Sequence, residues 1–105
     1  IFLARDRIGI KPLVYYSKGQ RFAFASEIQA FAGLDNPPSE ILPEAIGMFF
    51  RNARIPAPFT IYRNIFKLPP AHTLRVSFDG GDICPQRYWE PVFDPQENIR
   101  EEEWI

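Results

Sequence analysis

Leu13-Val14-Tyr15-Tyr16-Ser17-Lys18-Gly19-Gln20-Arg21-Phe22-Ala23-Phe24-Ala25 is the stretch on which the reading of this sequence turns. Leu13 to Tyr16 is rich in residues that suit a pleated, half-buried surface. Arg21 to Ala25 alternates, with Phe22 and Phe24 on one face and Ala23 and Ala25 on the other. Ser17 to Gln20 reads as the turn, where Gly19 is free to take a positive φ. The stretch is therefore an antiparallel hairpin. Upstream, Ile1-Phe2-Leu3-Ala4 is short and apolar, the pattern of a strand buried on both faces, and it is expected to extend the hairpin's sheet.

Downstream the period changes. Ser26 precedes Ile28, Phe31 and Ala32, whose spacing is helical; Ser26 is the expected cap, Glu27 suits the positive end of the dipole, and Gly33 is the expected stop. Asp35-Asn36-Pro37-Pro38 is a loop. Ser39 or Pro43 then opens a second helix in which Ile46, Phe49 and Phe50 form one apolar face. Arg51 to Pro70 is irregular and punctuated by proline. Thr73 to Phe78 alternates as a strand, Asp79-Gly80-Gly81-Asp82 is a tight turn, and Gln86 to Trp89 belongs to the returning strand. Pro91 to Asn98 has the composition of a linker. No internal repeat or low-complexity tract is present. The pattern predicts an α+β fold with antiparallel sheets.

Length and composition bound what such a fold can do. At 105 residues, with 46% hydrophobic and 24% charged side chains, the chain suits one small globular domain. A net charge of -1 gives no electrostatic ground for nucleic acid or an anionic membrane as partner. No apolar run approaches the roughly 20 residues that span a bilayer. A single cysteine forms no internal disulfide and fits a reducing cytoplasm. Both ends read as cut: the chain opens on Ile1 within a strand, and Arg100 to Ile105 reads as the first turn of a helix without a body.

A search for catalytic groups returns little. Cys84 and His72 are read as an ordinary thiol and a structural imidazole. Neither a zinc spacing nor a carboxylate cluster for a metal is present. Gly80-Gly81 lacks the following helix that a phosphate loop requires. Arg5-Asp6-Arg7 is the most informative polar cluster, because charges set against a buried strand are costly unless paired. Two readings stand: a structural salt bridge, or a loop organised beside a substrate site. Ser26-Glu27 has the same two sides, a helix cap or a site.

Three segments taken in order resemble one family. Ala4-Arg5-Asp6-Arg7-Ile8-Gly9-Ile10-Lys11-Pro12-Leu13 resembles the signature of class II glutamine amidotransferase domains. Phe24-Ala25-Ser26-Glu27-Ile28-Gln29-Ala30 resembles the element that follows it in asparagine synthetases. Ile55-Pro56-Ala57-Pro58, Thr60-Ile61-Tyr62, Lys67 to His72 and Arg87-Tyr88-Trp89 resemble the end of that domain in the same family. Related amidotransferases of purine and hexosamine synthesis share the first segment without the last. Two positions depart from the pattern, Ala71 and Asn64, where the family usually or often has glycine; that matters if the backbone there needs a positive φ.

The resemblance implies the later part of an N-terminal-nucleophile hydrolase α/β/β/α sandwich, with residues 1–90 in the glutaminase domain and 91–105 a linker and the start of a synthetase domain. It implies glutamine hydrolysis by an N-terminal cysteine upstream of Ile1, with its α-amino group as base. The ammonia then travels to a site where ATP, with Mg, activates aspartate. No cofactor is expected in this segment, no residue of it is expected to do bond chemistry, and the isolated chain is expected to be inactive. Arg5, Asp6, Gly9, Pro12, Ser26 and Glu27 are carried over as motif positions that shape the glutaminase core and its face towards the synthetase domain. Glutamine and aspartate are the implied partners, through the full enzyme, with a homodimer as a candidate assembly. The alternatives are an amidotransferase with another acceptor and a non-catalytic scaffold.

Overall fold

The computed structural model describes residues 1–77, 79 and 83–93. Most of the turn expected at Asp79 to Asp82, most of the expected linker and the helix start expected at Arg100 to Ile105 lie outside the described residues.

The hairpin forms as β2 (Val14–Lys18) and β3 (Arg21–Ala25). Its register runs from Val14 opposite Ala25 to Lys18 opposite Arg21, so only Gly19 and Gln20 lie in the turn. Gly19 has φ 59°, the conformation that lets a two-residue turn follow the strand twist and carry Ser17 and Lys18 into the ladder. On its other side, β2 pairs antiparallel with β4 (Ile65–Lys67). That strand sits in the segment read as irregular. A strand of three residues is too short to show a period. Thr60 ties the segment together, its buried hydroxyl donating to the Ile65 carbonyl at 2.8 Å and accepting from the Tyr62 N–H at 3.1 Å.

The opening strand, β1 (Phe2–Ala4), does not extend this sheet. It pairs antiparallel with β5 (His72–Arg75), which pairs with β6 (Gln86–Arg87), giving a second three-stranded sheet. Nor is β1 buried on both faces: Leu3 is buried, whereas Phe2 is 62% exposed. The doubly buried strand is β2, where Val14, Tyr15 and Tyr16 are all buried. Both strands are apolar, so composition alone could not separate them.

The sheets face each other across Leu3, Leu74 and Val76 from one and Tyr15 from the other, with Leu68 between. Phe22 and Phe66 pack on Tyr15, with ring centroids at 6.1 and 5.4 Å. Across β2, Val14, Tyr16 and Ile65 meet Phe31. Burying a side chain such as Leu68 or Leu74 stabilises by about 2 kcal/mol, and both are fully buried. Antiparallel sheets with few helices make this a small α+β domain.

Phe31 comes from a 3-10 helix, Ile28–Gly33, not from a capped α-helix. Ser26 is not its cap. Glu27 occupies that position and makes no side-chain capping bond. Gly33 is the last helical residue, and the Leu34 N–H donates back to the Phe31 carbonyl. The second helix, α1 (Pro43–Asn52), begins at Pro43, one of the two expected starts. Glu44 in its first turn and Arg51 in its last complement the dipole, and Ala53 ends it at φ 55°. Its apolar face, however, remains uncovered: Ile46, Phe49 and Phe50 are 41, 51 and 82% exposed, and Ala45 is the helix residue that is buried. No described helix is long and apolar enough to cross a membrane.

Candidate functional site

The loop after β1 is built by its own charged residues. Arg5 is half-buried and donates three times to backbone carbonyls: Nε to Lys11 at 2.9 Å, Nη1 to Leu68 at 2.7 Å and Nη2 to Gly9 at 2.9 Å. A planar guanidinium can hold three carbonyls from separate directions; an ammonium cannot do so with fixed geometry. Asp6 does the complementary work. Its Oδ1 accepts from the N–H groups of Gly9 and Ile10 at 2.6 and 2.9 Å, and its Oδ2 accepts from Lys11 at 3.2 Å. The Ile10 N–H is the main cause that holds this carboxyl below its ordinary value; desolvation comes next and opposes it, and the N–H groups of Lys11, Gly9 and Ile8 add to the lowering. Neither residue is in an ion pair among the described residues, so the salt-bridge reading is replaced by side-chain-to-backbone bonding.

Gly9 is required here. Its φ is +75°, and a Cβ would come within 2.6 Å of Cγ of Pro70 and 3.2 Å of Nη2 of Arg5. Pro70 belongs to the turn before β5, which docks on the loop through Ala71: its N–H donates to the Asp6 carbonyl at 2.9 Å. Ala71 and Asn64 have φ 57° and 65°. Both departures from the family's glycine pattern therefore fall where the backbone is left-handed. Asn tolerates that region better than Ala does.

The last aromatic pair closes over the same loop. The Tyr88 hydroxyl donates to the Arg5 carbonyl at 2.7 Å, and the Arg7 guanidinium lies 5.5 Å from the centroid of the Trp89 ring. His72 accepts the Arg5 N–H on its carbonyl, and its Nδ1 lies 2.7 Å from the Pro70 carbonyl. Cys84 is exposed, and among the described residues its polar contact is a weak one to the Pro85 carbonyl at 3.8 Å.

Beside this loop, at the Val14 end of β2, lies a cavity of about 430 Å³. Arg5, Pro12, Ser26 and Glu27 line it, as do Ile28 and Lys67. Four of the six motif positions thus meet at one place. Asp6 and Gly9 shape the adjoining loop without lining the cavity. Lys67 was not singled out from the sequence, although it opens the Lys67-Leu68-Pro69-Pro70 element that carried part of the resemblance. Its Nζ donates to the Ile55 carbonyl at 2.5 Å. Burial lowers its pKa below the ordinary lysine value, with smaller contributions from the charges of Arg5 and Arg54. The cavity therefore has two basic residues, Arg5 and Lys67, and one carboxylate, Glu27, among its described lining residues, with apolar groups from Leu13, Val14 and Ile28, a lining suited to a small polar molecule. No group of His, Cys, Asp or Glu able to hold a metal occurs among the described residues.

A two-sheet α+β fold, an Arg-Asp loop bonded to its own backbone and a cavity at the following Ser-Glu together define a class. The chain belongs to the glutamine amidotransferase domain family, whose model matches residues 1–89. Among individual proteins it is similar to a putative glutamine-hydrolysing asparagine synthetase 2 of Methanocaldococcus jannaschii, 35% identical over 108 residues, covering 96% of this chain and 21% of that protein. It is also similar to asparagine synthetases 3 and 1 of Bacillus subtilis. The first is 36% identical over 85% of this chain and 14% of the relative, the second 32% over 90% and 15%. The chain thus spans about a fifth or less of the length of these relatives. No solved structure matches it.

Proposed function

We propose that the chain is the later part of the glutaminase domain of a glutamine-dependent asparagine synthetase, where glutamine hydrolysis supplies ammonia for the ATP-dependent amidation of aspartate. The observation that carries this reading is the convergence of Arg5, Pro12, Ser26 and Glu27 on one cavity in a chain of this family. The names of the three relatives support the acceptor. In this reading the two sheets are part of an N-terminal-nucleophile α/β/β/α sandwich, and residues 1–90 are the glutaminase part. The end of the family match at residue 89 supports that boundary. Residues 91–105 lead into the synthetase domain, which would bind ATP and Mg; nothing in this segment is assigned to them. The protein works in the cytoplasm and can assemble as a homodimer.

Arg5, Asp6 and Gly9 set the loop conformation, and Pro12, Ser26, Glu27 and Lys67 form the wall that faces the synthetase domain. None of them is a nucleophile. Glutamate release from glutamine tests this directly. The chain by itself is expected to give none, and the polypeptide extended upstream to an N-terminal cysteine is expected to give turnover that a Cys→Ala change abolishes. Turnover by the pure chain would overturn the assignment of the chemistry to residues before Ile1.

A further inference from the structure

At the opposite end of β2 from the motif residues, a cleft of about 480 Å³ opens beside the hairpin turn. Tyr16, Lys18, Arg21, Glu40, Arg63 and Asn64 line it, and Pro37 and Pro38 form a wall with little conformational freedom. Its volume lies within the range of small-molecule sites.

The sheet concentrates positive charge there. Lys18 and Arg21 are direct partners in the β2–β3 register, so both side chains project from one face, the face of Tyr16. Like charges directly opposite one another destabilise a hairpin. On the other flank of β2, the Asn64 carbonyl accepts the Ser17 N–H at 2.9 Å, which brings Arg63 alongside Lys18. Three cations thus stand side by side across the end of the three-stranded sheet, and Glu40 is the one carboxylate among the described lining residues. Glu40 pairs with Nε of Arg63 at 2.7 Å, which leaves the two terminal nitrogens of that guanidinium without an ion-pair partner among the described residues. Arg21 is held in place by a hydrogen bond to the Asp35 carbonyl and by the Tyr16 ring, 5.9 Å from its central carbon. Lys18 has no ion pair among the described residues.

Two oriented guanidinium forks and an ammonium, with an excess of two positive charges, make an arrangement that repels itself when empty. A dianion relieves it. Phosphate oxygens match the fork geometry of arginine and accept from lysine as a point charge. We infer that this cleft binds the phosphate group of a small molecule, with Lys18, Arg21 and Arg63 as its ligands. The inference does not rest on the glutaminase reading, since none of these residues lines the motif cavity.

Titration of the full chain with inorganic phosphate, pyrophosphate and ribose 5-phosphate, followed through backbone amide NMR shifts, tests it. Saturable shifts are expected at residues 18–21, 35–40 and 63–64, weakening as salt is raised. Lys18→Gln and Arg21→Gln should each weaken binding by about tenfold. Both side chains are exposed, so the rest of the spectrum should be unchanged. Glu40→Gln should strengthen binding by about threefold, a gain that misfolding cannot imitate. Tighter binding of ribose 5-phosphate than of the inorganic ions would identify an organic phosphate as ligand, and the reverse order an inorganic one. Absence of saturable shifts by about 10 mM of all three, or shifts that survive in the Lys18→Gln/Arg21→Gln double variant, would overturn the inference.

Discussion

Residues 5–12 form a loop in which the Arg5 and Asp6 side chains end on backbone groups, whereas Pro43–Asn52 forms a helix whose largest apolar side chains stay exposed. The loop has no regular secondary structure, yet it is fixed from inside by at least six bonds from Arg5 and Asp6 and from outside by Pro70, Ala71 and Tyr88. The helix has regular backbone bonds, a proline start and well-placed charges, but little tertiary packing within the described residues. Most helical stability in proteins comes from burying an amphipathic face. In this chain the irregular segment is therefore expected to be the more rigid of the two. Secondary structure and local stability part company here.

The largest effect that would break this comparison is at Arg5. Arg5→Ala removes the donor to three carbonyls and leaves that of Leu68, next to a fully buried side chain, without its partner. A loss of about 3 kcal/mol in unfolding free energy is expected, measured by urea denaturation. Arg5→Lys should recover less than half of it, because one ammonium cannot reach three separated carbonyls in fixed directions. If lysine restores full stability, the loop needs only a charge, and the geometric account fails.

An intermediate effect compares the two regions through the same backbone conformation. Ala53 ends the helix and Ala71 docks on the loop, both left-handed at φ 55° and 57°. An L-residue in that conformation costs about 1 kcal/mol relative to glycine. Ala53 is exposed, so Ala53→Gly should stabilise by about 1 kcal/mol. Ala71 is buried, and loss of its methyl offsets part of the gain, so Ala71→Gly should stabilise by about 0.5 kcal/mol. Paired thermal melts of the two variants give the order. A larger gain at Ala71 would mean that strain at the loop's docking point, not burial, dominates there.

Sequence alone carried the hairpin, both helical segments and the β5–β6 pairing, because each has a period or a turn signal within a few residues. It did not carry what joins distant segments. Ile1 to Ala4 joins β5 and not β2, a choice between two apolar partners that no local pattern encodes. β4 was hidden by the prolines around it. The serine before Ile28 satisfies a capping rule, but the segment winds as a 3-10 helix and its backbone places Glu27 at the cap. At the site, Arg5, Pro12, Ser26 and Glu27 were named through the resemblance to a family, since their residue chemistry alone left a structural role and a site role both open. Lys67 enters the cavity through the β2–β4 pairing, and Tyr88 reaches Arg5 across 83 positions, so neither could be found from spacing. The cluster of Lys18, Arg21 and Arg63 depends on sheet register in the same way.

The smallest effect is expected at Phe50, and its smallness is informative. Ordinarily a Phe to Ala change in a core costs about 3 to 5 kcal/mol, because it removes a large buried area and leaves a cavity. Phe50 is 82% exposed, and its aromatic neighbour among the described residues is Phe49, at 6.1 Å in an edge-on arrangement. Little area returns to water on truncation, so Phe50→Ser should shift the unfolding free energy by less than about 0.5 kcal/mol. Phe31→Ala, at a residue 3% exposed and packed on Tyr16, should cost about 3 kcal/mol in the same assay. A large loss at Phe50 would mean that α1 is covered when the chain is in solution, and the contrast between a self-supported loop and a bare helix would then have to be withdrawn.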